Sequence, residues 1–250
     1  MREALAFGME ERRQHSNWSE ALRALTAQAE DLGVLVMVSG VVGSNTHRVL
    51  NPEEFRGFAL VDDLAPVAFV NGSDTKAAQI FTLAHELAHI WLGQTALSNA
   101  SPARAEGNTV EDWCNLVAAE LLVPLDAITS AYERIDSANE LAAELDRLAR
   151  VFKVSTLVIL RRLKDAEAPL PGSYWDLYAS ELDRVMSLRA SGSGGNFYNT
   201  QPVRVSKRFA RAVIANALEG QTLYRDAYQL LGFKKHSTFV ELAHTLGVGG

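Results

Sequence analysis

Apolar residues recur every three to four positions across residues 18–31, where Leu22, Leu25 and the alanines between them share one side. That period predicts an amphipathic helix, closed by Gly33. The rhythm then shortens. Residues 33–42, 55–61 and 65–70 are short β-rich runs separated by Asn, Asp, Gly and Pro, and they predict a small antiparallel sheet. After the turn Asn71-Gly72-Ser73-Asp74 the chain is apolar at almost every position up to Leu92. Ser73 or Asp74 is placed to cap a helix there, and Gly93 to close it in the left-handed conformation. Another helix is expected from Val110 to just before Pro124, with Leu116, Ala119 and Leu122 as its core face. Between residues 138 and 165 two short helical patterns meet at Phe152-Lys153-Val154-Ser155, with Ser155 as N-cap of the second. The pair reads as a helix-turn-helix-like unit. Pro169, Pro171 and Gly172 then break the pattern, and Ser191-Gly192-Ser193-Gly194-Gly195 links to a final helical region. The expected organisation is α+β: a sheet-and-helix domain over 1–135, the helix-turn-helix-like unit over 136–168, and a mainly helical, possible sensory or regulatory region over 169–250.

Composition narrows the class without choosing a function. With 250 residues, 48% of them hydrophobic, the chain can bury a substantial core. The first 17 residues are polar and charged, and no run of 18 apolar residues occurs, so secretion and membrane spanning are not expected. One cysteine, Cys114, cannot form an internal disulfide; this suits a reducing compartment, and the cytoplasm is the expected location. The net charge of −6 argues against a wholly basic nucleic-acid binder.

The chemistry sits in His85-Glu86-Leu87-Ala88-His89. Residues four apart on an α-helix share a face, so the two imidazoles can grip one ion. Glu86 stands too far round the helix to ligate easily but can reach a water at the metal, which makes it the candidate general base. Catalytic zinc takes a third protein ligand and keeps a fourth position open. Glu111 in the following helix, with Asn115 one turn on as a supporting hydrogen-bonding group, is the candidate; Glu120 competes but lies on the opposite side of the same helix. By composition alone such a five-residue match arises in about one chain in a hundred of this length. Here it lies in an apolar helix, where three polar side chains need partners that a metal and its water would supply.

With these residues in hand, the chain resembles the ImmA/IrrE family of metallopeptidases. The likeness covers most of the chain: Ser39-Gly40-Val41-Val42-Gly43, Glu54-Phe55-Arg56-Gly57-Phe58-Ala59-Leu60, Ala78-Gln79-Ile80-Phe81-Thr82-Leu83 ahead of the histidines, and Cys114-Asn115-Leu116-Val117-Ala118-Ala119-Glu120-Leu121-Leu122-Val123-Pro124. The resemblance implies a minimal zincin-like, gluzincin-type peptidase domain. It also implies one Zn2+ per chain on His85, His89 and Glu111, and Glu86 as catalytic acid/base. Its implied substrate is a DNA-binding repressor, in a bacterial or phage stress or defence response. Many relatives carry a helix-turn-helix domain ahead of the peptidase, and only a short lead precedes the first strand here.

Several residues carry competing readings. Arg161, Arg162 and Lys164 offer a phosphate contact, against a helical pair packed on the peptidase through Leu148, Val151, Leu157 and Leu160. Arg204, Lys207, Arg208 and Arg211 open a basic segment that either senses DNA or single-stranded DNA as an activator or simply faces water. Cys114 is either a fourth, inhibitory metal ligand or a small buried hydrophobe. An extended substrate is expected along the edge of the sheet, where 65–70 leads into the metal-bearing helix. His47, Tyr132, Tyr174 and Tyr198 are candidate donors to transition-state charge. The alternative function is a non-catalytic DNA-binding or regulatory protein with a structural zinc, against which the intact Glu86 speaks.

Overall fold

The computed structural model describes residues 1–43, 45–98, 109–188 and 204–249. After a short helix α1 (Met9–Arg13), Asn17 accepts the Glu20 amide and opens α2 (Trp18–Asp31), whose Leu22 and Leu25 point inward as their spacing predicts. Strands β1 (Leu35–Ser39), β2 (Gly57–Leu60) and β3 (Val67–Asn71), helix α3 (Lys76–Leu92) and strand β4 (Ala96–Ser98) follow.

The strands form one sheet in the order β1-β3-β2-β4. It is mixed, not antiparallel: β1 runs parallel to β3, from Leu35 beside Val67 to Ser39 beside Asn71, while β2 is antiparallel to both β3 and β4. Alternation along a half-buried strand is the same in either pairing, so the direction of β1 is settled by the path of the chain through β2. β3 is consequently interior and hydrogen-bonded on both sides. It cannot be the docking edge expected of residues 65–70, and the sheet's outer strands are β1 and β4. Alternate residues Val36, Val38, Ala68 and Val70 face the helices, with α3 against β2 and β3 and packed on α2 and α4 (Thr109–Leu122).

Helix α4 turns a different face inward from the one expected. Cys114, Ala118, Leu121 and Leu122 are buried, whereas Leu116 is 56% exposed. The helix has more apolar positions than one face can hold, and its packing against α3 selects among them. Two buried arginines secure its far end. Arg12 donates to the carbonyls of Leu122 and Leu121 and, at 3.1 Å, to that of Phe152, while Arg162 donates to Val123 O at 2.7 Å and pairs with Glu120. Guanidinium charge at a helix C-terminus satisfies carbonyls that have no intrahelical donor.

Helices α5 (Leu125–Ala131), α6 (Ala138–Phe152), α7 (Thr156–Asp165) and α8 (Tyr174–Leu188) complete the larger unit. Ser155 caps α7 as expected, accepting the Val158 amide. Leu141, Leu145, Leu148, Leu160 and Leu163 join the same core as α2 and α3, so no break in packing falls between residues 135 and 136. A second, separate core is built by α9 (Lys207–Leu218), α10 (Tyr224–Leu231) and α11 (His236–Leu246) around Ile214, Leu231, Phe239 and Leu242. Among the described residues no single helix is long and apolar enough to cross a membrane.

Candidate metal centre

Helix α3 is capped by Thr75, whose hydroxyl accepts the Ala78 amide at 3.2 Å, one residue beyond the two caps expected. Ser73 and Asp74 are engaged elsewhere: the Ser73 hydroxyl donates to Gly40 O, and Asp74 accepts the Thr75 amide and faces Arg56 at 3.7 Å. At the other end Gly93 closes the helix with φ 74°, in the left-handed region where a Cβ is costly. Between these ends His85, Glu86 and His89 are all buried.

The helical spacing brings His85 Nε2 and His89 Nε2 to 3.1 Å of each other. Glu111, in the first turn of α4, places one carboxylate oxygen 3.2 Å from His85 Nε2 and the other 3.2 Å from His89 Nε2. The three donor atoms lie within 4.8 Å of one another. Two imidazoles and a carboxylate converging by these atoms suit a divalent cation: nitrogen and oxygen donors, three in number, with room for a further ligand. The electrostatics agree. Burial and the neighbouring His85 push the His89 pKa below its ordinary value, against the opposing pull of Glu111, so its imidazole is neutral as a ligand must be. Hydrogen bonding from His85 holds the Glu111 carboxyl below the usual range, with burial opposing.

Glu86 lies under strand β2. A Cβ built on Gly57 would stand 2.6 Å from Glu86 Oε1 and 2.7 Å from both Phe69 O and Thr82 Cγ2. Glycine is required there for the strand to pass over the carboxylate. Sequence reasoning gave Gly57 no role, although a glycine inside a β-rich run is itself a signal of close backbone approach.

The other candidates are dispersed. Glu120 points away, held by Arg2 and Arg162 and accepting the Leu125 amide. Asn115 sits half-buried one turn after Glu111. Cys114 is buried but stands outside the His85–His89–Glu111 group, and burial together with the Glu111 and Glu86 charges pushes its thiol up to about 12. Its burial on the inner face of α4 is compatible with the small-hydrophobe reading of this residue. Arg162 is only 1% exposed and engaged inside the protein, which corrects its assignment as a phosphate contact; Val123 O just past α4 and the Glu120 carboxylate draw it inward. Arg161 is exposed, and the Lys164 ammonium lies 4.4 Å from the Tyr174 ring centre. Arg204 is half-buried and Lys207 exposed, while Arg208 donates to Glu30 O at 3.0 Å and Arg211 to Leu246 O at 3.2 Å. The Tyr132 hydroxyl donates to Pro169 O at 2.9 Å, His47 is exposed, and Tyr198 lies outside the described residues, as does the glycine link.

Comparison with known proteins bears on the same stretch. The profile of the IrrE N-terminal-like domain matches residues 29–164, more than half of the chain, and a domain of unknown function matches residues 205–245. The chain is 30% identical over 170 residues to the radiation response metalloprotease IrrE of Deinococcus radiodurans, covering 62% of this chain and 50% of that protein. It is 34% identical over 99 residues to the protein of the same description from Deinococcus deserti, covering 38% of this chain and 35% of that one. The match thus spans half or less of the length of these relatives. No solved structure matches.

Proposed function

The chain belongs to the IrrE N-terminal-like family, and from that footing we propose that it is a zinc-dependent endopeptidase whose substrate is a DNA-binding repressor or transcription regulator, cleaved in the cytoplasm during a stress or defence response. The observation that carries the peptidase reading is the buried convergence of both imidazole Nε2 atoms on the Glu111 carboxylate, with Glu86 beside them on the same helix. The substrate class rests on the likeness to metalloproteases described as radiation-responsive and on the family resemblance.

His85, His89 and Glu111 would hold the ion, the two-histidine and one-carboxylate donor set of a catalytic rather than a structural zinc site. Zinc held by these residues would supply Lewis acidity, which lowers the pKa of a bound water to about 7 and can polarise a carbonyl. Glu86 takes the proton from the attacking water on one carboxylate oxygen and returns it to the departing amine nitrogen. Gly57 lets the strand pass close over that carboxylate. Substrate binds extended beside β4, which follows directly from the metal-bearing helix and, among the described residues, pairs only with β2.

Glu86→Gln tests this directly. Cleavage of a repressor encoded beside this chain should fall about 10³- to 10⁴-fold while zinc content by elemental analysis stays at about one per chain. Undiminished cleavage, or wild-type protein that retains no metal after gentle purification, refutes the reading.

A further inference from the structure

The sheet is apolar on both faces. Its inner face, with Val36, Val38, Ala59, Ala68 and Val70, is buried against the helices, and the residues between these project from the opposite side. There the register aligns Met37, Phe69, Phe58 and Leu97 in one row across all four strands, and Leu35, Val67 and Leu60 in the next. Phe58 and Phe69 stack with ring centres 4.9 Å apart, and Phe55 stacks on Phe69 at 6.1 Å. None of these residues is buried, and among the described residues none belongs to or packs against either core.

A sheet open to water on one side ordinarily alternates apolar and polar residues, and here neither row holds a polar or charged side chain. Contiguous exposed apolar surface of this kind marks a place where something docks. Exposure rises toward one end. Leu60 is 46% and Leu97 62% exposed, and β4, which carries Leu97, has no charge or proline to guard its outer edge. The opposite edge differs, because α9 lies beside β1. A two-fold contact between copies would centre on the Phe58–Phe69 stack, yet the most exposed residues of the platform lie at its β4 end, beside the path of the substrate.

We propose that the β4 end of this outer face is a specificity surface for the protein substrate, where a large apolar side chain of the cleaved segment packs on Leu97 with Phe58 and Leu60 behind it. The assignment rests on the peptidase reading above, in which that segment lies extended beside β4. A strand added there sends successive side chains to opposite faces of the sheet. The residue opposite Ala96 points inward, toward α3 and the metal ligands. Its neighbour opposite Leu97 points outward, with the two Cβ atoms about 5 Å apart. One strand is therefore read on both faces: the inner one holds the chemistry, and the outer one selects by size and polarity.

The test uses the full chain loaded with zinc and the repressor encoded beside it, with the cut bond located by mass spectrometry. Each repressor residue flanking that bond is replaced in turn by Glu. At one flanking position, occupied by a large apolar residue, Glu should lower kcat/KM about tenfold or more. Leu97→Lys should raise KM for the unaltered repressor about tenfold with kcat unchanged, and should restore cleavage of the Glu-bearing repressor at that position and at no other. Zinc content and melting temperature should not move, since the Leu97 side chain faces solvent. An unaltered KM in Leu97→Lys, rescue at no position, or a wild-type dimer in sedimentation that Leu97→Lys dissolves would overturn the assignment, the last result giving the face to a second copy. Absence of any cleavage by wild type, or cleavage that survives Glu86→Gln, instead refutes the peptidase reading and this assignment with it.

Discussion

The two cores of this molecule are built on opposite plans. Around α3 and α4, His85, Glu86 and His89 are buried, the two imidazoles converge on the partly exposed Glu111 carboxylate, and buried arginines close the far end of α4. Around α9 to α11 the core cluster is apolar, with the buried Ser206 cap at its margin bonded to Glu30, while the charge stays outside: residues 204–249 carry seven lysines and arginines against three carboxylates, in a chain whose net charge is −6. Burying a polar group without a partner is expensive, so the first plan persists only where something compensates it, and a metal does so. The second plan needs nothing beyond itself. Most buried polar groups of the first core, Arg12 and Arg162 among them, are matched by carbonyls or carboxylates; among the described residues only His85, His89 and Glu111 gather metal-ligating atoms.

Removing the metal should separate the two cores most sharply. If the ion is present at about a thousandfold over its dissociation constant, a chelator should cost the α3–α4 region about 4 kcal/mol. Amide exchange should then accelerate in α3 and α4 and remain unchanged in α9 to α11; equal acceleration in both would break the contrast. The stripped protein should also be acid-sensitive. His89 and Glu111 both have folded-state pKa values below their ordinary ones, so the unfolded chain takes up protons first. Their contribution is complete at neutral pH, begins to fade as pH falls below about 6.5 for His89, and fades further below about 4.5 for Glu111. A chelated sample gaining stability on acidification from pH 7 to 4 would contradict that sign.

The converse experiment strikes the smaller core. Phe239→Ala should cost about 3 kcal/mol, read as lost exchange protection confined to α9 to α11, with metal content unchanged. Gly57→Ala should cost about 1–3 kcal/mol through contact with Phe69 O and Glu86, and lower cleavage more than its stability loss explains. The smallest effect belongs to the outer charge: Lys234→Ala with Lys235→Ala should shift stability by less than about 0.5 kcal/mol, since both side chains face solvent.

What sequence alone determined here is what depends on neighbours along the chain. Four-residue spacing places His85 and His89 on one side of a helix wherever that helix sits, and Gly93 and Ser155 end and begin helices through backbone preferences that act within a turn. Tertiary structure decided whatever depends on distant partners. The parallel run of β1, the exposure of Leu116, the inward turn of Arg162 toward Val123 O at the end of α4, and the seating of Gly57 over Glu86 are set by segments tens of residues away. Spacing within a segment carries no record of those partners, because the same local pattern satisfies several packings and only the assembled core selects one.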